Sequence, residues 1–139
     1  MSVDRAAFEE QVINDMREHG GVISSGPMAG ARLLVLTTTG AKSGQPRRVL
    51  LFFSKDGTDY IIAGTASGST QDPAWLHNLE ADPNPSVEVD GRQFEASATI
   101  ADAPERDRLW QQHLVAAPQL ADHAEKAGRT IPMVRLTPH

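Results

Sequence analysis

The sequence predicts an α+β fold in which a mainly antiparallel, barrel-like sheet of about six strands carries flanking helices. Three observations lead there. Asp56-Gly57 and Asp90-Gly91 each sit between β-type runs and read as hairpin turns. The strands come in groups of three, two and one with helical stretches between them, not in one-for-one alternation. The 139 residues include no cysteine, so apolar packing alone must supply the core of what reads as one domain, 1–139.

The elements follow in order. Phe8, Val12, Ile13 and Met16 fall at helical spacing, which predicts a helix from about Asp4 to His19 that Gly20-Gly21 stops. A Gly/Ser/Pro/Ala-rich loop follows over 20–30. Arg32 to Thr38 is a strand whose continuous apolar centre implies burial on both faces. One strand is expected from Arg47 to Ser54, and its hairpin partner runs from Asp59 to Thr65. After a small-residue loop over 66–71, Asp72 reads as an N-cap with Pro73 at the first helical position. The helix they open carries Trp75, Leu76 and Leu79 and stops before Pro83. Ser86–Val89 and Arg92–Ile100 form a hairpin, with Phe94, Ala96, Ala98 and Ile100 alternating against polar neighbours so that one face is wet. A helix over 104–116 turns Leu109 and Leu114 inward. Pro118 breaks it, a further helix runs to Lys126 and Gly128 closes it, and Ile131–Leu136 is the last strand.

Composition narrows the function. The formal net charge of −5 argues against nucleic acid as a partner. The longest apolar runs, Leu33–Leu36 and Val49–Phe53, are far short of the ~20 residues a transmembrane helix needs. The polar start, Met1 to Arg5, leads into a charged helix, and a cytoplasmic location is expected. Without cysteine there is no thiolate metal site, and the five histidines lack ligand spacing, so no metal is expected. The charge is unevenly spread. No Asp or Glu occurs between Glu18 and Asp56, a stretch that holds Arg32, Lys42, Arg47, Arg48 and Lys55. A basic island in an acidic chain suits either a local anion site or an edge strand guarded by cations.

The connection Thr37 to Arg48 reads Thr-Thr-Thr-Gly-Ala-Lys-Ser-Gly-Gln-Pro-Arg-Arg. Its glycines allow close backbone approach, and Lys42, Ser43 and Arg47 offer charge-assisted donors to an anion. It is not a P-loop, because Ala41 separates Gly40 from Lys42 and a strand follows where a helix would be needed. An ordinary charged hairpin is the alternative.

The run from Leu34 to Arg47, the segment Asp72-Pro-Ala-Trp-Leu-His-Asn-Leu79, the pair Asp82-Pro83, the run Val87 to Gly91 and the pair Ile131-Pro132 occur in this order. Together they resemble the deazaflavin-dependent nitroreductase family, over nearly the whole chain. The resemblance implies a split β-barrel that binds coenzyme F420, a deazaflavin with a phosphate and oligoglutamate tail. By position, Ala41, Lys42, Ser43, Arg47 and Arg48 would meet the tail, and Val49, Leu50, Leu51 and Phe52 would line the next part of the groove. Ala63, Gly64, Thr65 and Ala66 would approach the ring, and Ala74, Trp75, Leu76, His77 and Asn78 would complete the site. Thr65 is the candidate catalytic group. The simpler readings are that Trp75 is core, His77 a surface residue, Asn78 a cap and Thr65 an ordinary strand residue.

Relatives that reduce nitroimidazoles place tyrosines in the substrate wall. The matching positions here are Phe52, Ala117, Leu120 and His123, and the single tyrosine, Tyr60, lies elsewhere. Loss of those hydroxyls gives a more apolar pocket and removes donors for a nitro group. The expected reaction is hydride transfer to a small-molecule electron acceptor such as an enone, a quinone or a nitro compound. Two alternatives remain open at this point: a non-catalytic cofactor- or lipid-binding split barrel, and an FMN-dependent oxidoreductase. A homodimer is possible, since small barrels often cover an edge.

Overall fold

The computed structural model describes residues 5–26, 29–65, 68 and 70–139. Its elements in chain order are α1 (Arg5–Glu18), β1 (Leu34–Thr39), β2 (Pro46–Leu51), β3 (Ser54–Asp56), β4 (Asp59–Ala63), α2 (Ala74–Ala81), β5 (Ser86–Val89), β6 (Arg92–Ile100), α3 (Ala103–Ala116), α4 (Leu120–Ala127) and β7 (Met133–Pro138). The seven strands form one sheet in the order β2-β1-β5-β6-β7-β4-β3, with every pairing antiparallel.

The strand expected from Arg47 to Ser54 is two strands, β2 and β3, on opposite edges of that sheet. Only Phe52 and Phe53 separate them. Laid flat, the six inter-strand spacings of ~4.8 Å would hold the edges about 29 Å apart. Three peptide links reach at most about 11 Å. The sheet must therefore curl until its edges nearly meet, and the Phe52-Phe53 step is the corner where the chain changes edge. β6 makes the opposite corner. Its first half pairs with β5 (Val89↔Arg92 to Ser86↔Glu95), and its second half with β7 (Ala96↔Pro138 to Ile100↔Val134).

Three apolar clusters fill the layers. The barrel interior holds Leu34, Leu36, Tyr60, Ile62, Val87, Val89, Val134 and Leu136, and α2 adds Trp75, Leu76 and Leu79 to it. Leu33 and Val35 point the other way, under Ile13 and Met16 of α1, so β1 is buried on both faces as expected. Ile61, Ala63, Ile131 and Met133 face Leu109 of α3 and Ala127 of α4.

Two apolar side chains depart from their periodic assignment. Phe8 is 54% exposed and Ile100 is 41% exposed. Helical or strand spacing marks a face whether or not a neighbour reaches far enough to cover it, and both residues lie near the end of their element. The expected Asp72 cap is also absent. Pro73 occupies the N-cap of α2 with no side-chain cap, and the Asp72 carboxylate accepts from Arg129 Nη1 at 2.8 Å. Arg135 of β7 ties the β3–β4 hairpin to α3 through Asp56 (2.6 Å), Asp59 (2.7 Å) and Glu105 (2.7 Å).

Candidate functional site

The cationic segment is the β1–β2 hairpin turn. Gly40 N–H donates to Gln45 O (2.8 Å) and Gly44 N–H to Gly40 O (2.9 Å), with Gly44 at φ 69°, where glycine is favoured. Ser43 Oγ accepts from Gln45 N–H (3.1 Å) and from Arg47 Nη2 (3.4 Å). A Cβ at Gly40 would lie 2.5 Å from Ser43 Oγ, so a side chain there would break this cradle. Asn78 of α2 fastens the turn: its Oδ1 accepts from Ala41 N–H (2.9 Å), and its Nδ2 donates to Thr38 Oγ1 (3.0 Å). Lys42 and Arg47 are exposed and make no ion pair among the described residues, whereas Arg48 is held by Glu10 of α1 at 3.0 Å.

A cleft of about 1200 Å³ runs from this turn along β2 to α2, α3 and α4. That volume exceeds the several hundred Å³ of an ordinary ligand pocket and suits a cofactor with an acceptor beside it. The turn contributes Ala41, Lys42, Ser43, Arg47 and Arg48; β2 and the corner contribute Val49, Leu50, Leu51 and Phe52. Ala63 and Thr65 enter from the end of β4, Ala74, Trp75, His77 and Asn78 from α2, and Leu120 and His123 from α4. Trp75 combines both roles considered for it, since it is buried in the barrel core and also faces the cleft.

Three expected residues lie elsewhere. Leu76 is buried in the barrel core, because successive helical residues turn by about 100° and cannot all face one side. Gly64 lies against Pro132 and Pro73, where an added Cβ would be 2.9 Å from Pro132 Cγ. Ala117 lines a second cavity of about 580 Å³ that shares Phe52 with the cleft. Ala66 lies outside the described residues.

The cleft also gains Glu9, Gly40, Pro73 and His113, which motif matching did not single out as site residues. His113 is fully buried; its Nδ1 is 2.8 Å from Ser54 Oγ, and its Nε2 has no partner among the described residues. Burial lowers its pKa from 6.5 to about 4, which leaves a neutral imidazole at pH 7. His123 Nδ1 is likewise buried and without a partner among the described residues. Arg129 was missed as well. Its Nη2 donates to the carbonyls of Gly64 (2.9 Å), Thr65 (3.4 Å) and Gln71 (3.0 Å), and so fixes the backbone that presents Thr65. The only hint of His113 in sequence was its place four residues after Leu109 on the inward face of α3.

Among the described residues, no three His, Asp or Glu side chains gather as a metal site, and no helix is long and apolar enough to cross a membrane.

A curled antiparallel barrel with a cleft from a cationic hairpin to a helix-lined end is the architecture of a split-barrel protein. A solved structure described as an F420-H2 dependent reductase shares this fold with a TM-score of 0.68 and 30% identity, covering 75% of this chain and 92% of that one. A family model described as F420H(2)-dependent quinone reductase matches residues 9–138, and the chain belongs to that family. An F420H(2)-dependent quinone reductase of Mycobacterium tuberculosis is 36% identical over 107 residues, 75% of this chain and 72% of the relative. A second structure, described as a domain-swapped dimer, has a TM-score of 0.71 at 25% identity and covers 94% of this chain and 98% of its own. The deazaflavin-dependent family expected from the motifs is thus shown, and its description specifies quinones as acceptors.

Proposed function

We propose that this protein holds F420H2 by its anionic tail on the 40–48 turn and reduces a quinone-type acceptor at the apolar end of the cleft, near Leu120 and His123. The carrying observation is one continuous cleft that joins Lys42 and Arg47, which make no ion pair among the described residues, to an end lined by Thr65, Trp75, Leu120 and the imidazoles of His113 and His123.

The residues present fit this cofactor. Lys42 and Arg47 donate to phosphate or carboxylate oxygens with charge-assisted bonds, and Ser43 keeps the Arg47 guanidinium over the turn. Arg48 joins them in competition with Glu10. Val49, Leu51 and Trp75 give the middle of the cleft an apolar lining. When bound, the reduced deazaflavin supplies a hydride. The buried Thr65 offers its hydroxyl beside the reacting end, on backbone held by Arg129. Leu120 and the corner Phe52 present a flat apolar acceptor with matching surface in place of the hydroxyls of nitroimidazole-reducing relatives. A homodimer belongs to the same proposal, supported by the relative described as a domain-swapped dimer.

Titration with oxidised F420 tests the tail grip. Trp75 fluorescence is expected to quench, and Trp75→Phe to abolish the response, since Trp110 sits away from the cleft with Arg106 over its ring. Lys42→Ala/Arg47→Ala should weaken binding at least about tenfold, or about 1.4 kcal/mol. Equal quenching by FMN, or wild-type affinity in the double variant, would overturn the proposal. Oxidation of F420H2 by a soluble naphthoquinone tests turnover.

A further inference from the structure

α3 brings one group to the cleft that neither the cationic turn nor the apolar wall requires. Leu109 and His113 lie one turn apart on its buried face, and both are fully buried. An apolar side chain at 113 would continue that stripe and leave only the Ser54 hydroxyl without its present partner. Instead the imidazole lines the cleft, its buried Nε2 has no partner among the described residues, and Ser54, the first residue of β3, holds Nδ1 at 2.8 Å. Leu120 and His123 of α4 line the same cleft.

We propose that His113 is a catalytic residue: a side-chain rearrangement at the cleft wall uncovers its buried Nε2–H, which then hydrogen-bonds the carbonyl oxygen of the acceptor quinone, with Ser54 as the positioning residue that sets the tautomer. The inference rests on the reductase reading above and adds the group that recognises the acceptor. A Ser54 hydroxyl that donates to Nδ1 leaves the proton on Nε2, turned toward the unpartnered side. During reduction the quinone gains a hydride from the reduced cofactor and one proton, and becomes the hydroquinone. The proton is the one released as the cofactor is oxidised, or comes from water. Negative charge grows on the quinone oxygen before that proton arrives, and a fixed donor in a dry wall stabilises that charge most where it develops. The neutral imidazole orients and stabilises; it does not deliver the proton, so no second acid is needed at this position. Donor placement also predicts which replacement works. A glutamine amide at 113 can set an N–H near the position of Nε2, whereas asparagine sets it near Nδ1 and phenylalanine provides none.

The experiment compares the wild type with His113→Gln, His113→Asn, His113→Phe and Ser54→Ala in two assays. The first is steady-state oxidation of F420H2 by a soluble naphthoquinone. The expected loss in kcat/KM is about 100-fold for His113→Phe and His113→Asn and at most about tenfold for His113→Gln, as for removal and partial replacement of an oxyanion donor. The second is imidazole 15N NMR of the wild type with oxidised F420 bound, in which the His113 Nε2 signal should shift when naphthoquinone is added. Ser54→Ala should alter the Nδ1/Nε2 shift pattern without quinone, as loss of the Nδ1 partner requires, and should shrink the Nε2 response to quinone, which a purely packing role would not do. Should the phenylalanine variant fail to fold, the glutamine–asparagine contrast and the wild-type spectrum still decide the matter. Equal kcat/KM in the glutamine and asparagine variants, or an Nε2 signal unmoved by quinone, would overturn the proposal. Absence of F420 binding by the wild type would instead remove the reductase reading beneath it.

Discussion

Lowering the pH from about 7 to about 5 should cost this protein about 2 kcal/mol of folding stability through His113 alone. The structure supplies the reason. The ring is fully buried and its pKa falls from 6.5 to about 4, with burial as the cause. Above pH 6.5 both folded and unfolded chains carry a neutral imidazole, and His113 contributes nothing to the pH dependence. Between 6.5 and about 4 the unfolded chain binds a proton that the folded chain refuses, so stability falls as the pH falls. Below about 4 both states are protonated and the full penalty, about 3.4 kcal/mol, has been incurred. Two carboxyls that the fold holds below their ordinary pKa of 3.8 act outside this window. Asp15 is lowered by hydrogen bonds from Ser24, and Asp56 by those from Arg108 and Arg135. Their stabilisation is complete above pH 3.8 and is lost only as the pH drops further. Urea unfolding, followed by circular dichroism at about pH 7 and about pH 5, reads the effect in the wild type and in His113→Gln. Any fixed cost of the substitution cancels in the difference between the two pH values. The wild type should lose about 2 kcal/mol more than the variant. Parallel losses in the two proteins would refute the assignment of this proton to His113.

Asn78→Ala removes the acceptor for Ala41 N–H and the donor to Thr38, and should destabilise the fold by about 1–3 kcal/mol in a chemical melt while weakening F420 binding. Asn78→Asp, which keeps the acceptor, should retain more of both. Gly40→Ala should displace Ser43 from its contacts with Gln45 and Arg47 and weaken F420 binding several-fold in the fluorescence titration, with little change in naphthoquinone KM. Arg129→Met should free three carbonyls and Asp72 together and cost about 3 kcal/mol or more. Its thermal midpoint should fall by several degrees, and amide exchange should quicken over 64–72 before it does in the β-core.

Much of the architecture was legible because it is local. The Asp-Gly turns specified their hairpins, the continuous apolar run at Leu33–Leu36 marked a strand covered on both faces, and Gly128 marked the end of α4 with its φ of 63°. The motifs on the turn, β2 and α2 also named most of the residues that line the cleft. The failures share a cause. Leu76 and His77 are adjacent in sequence, yet one enters the barrel core and the other the cleft. Phe52-Phe53 looks like strand interior and is a corner, because an apolar pair does not state which edge its strands will join.

By itself, the sequence determined the element types, the antiparallel hairpins, the cationic turn and the deazaflavin-dependent family, since each is written in spacing over a few residues or in motifs kept in order. Only the tertiary structure decided that β2 and β3 occupy opposite edges, that Asn78 anchors the turn 37 residues before it, and that Arg129 holds the backbone around Thr65. It likewise decided that Ser54 and His113, 59 residues apart, share a buried hydrogen bond beside the cleft. The physical reason is the curl of the sheet. Periodicity reports the faces of a single element, whereas closing a seven-stranded sheet on itself brings together groups whose separation along the chain carries no local signal.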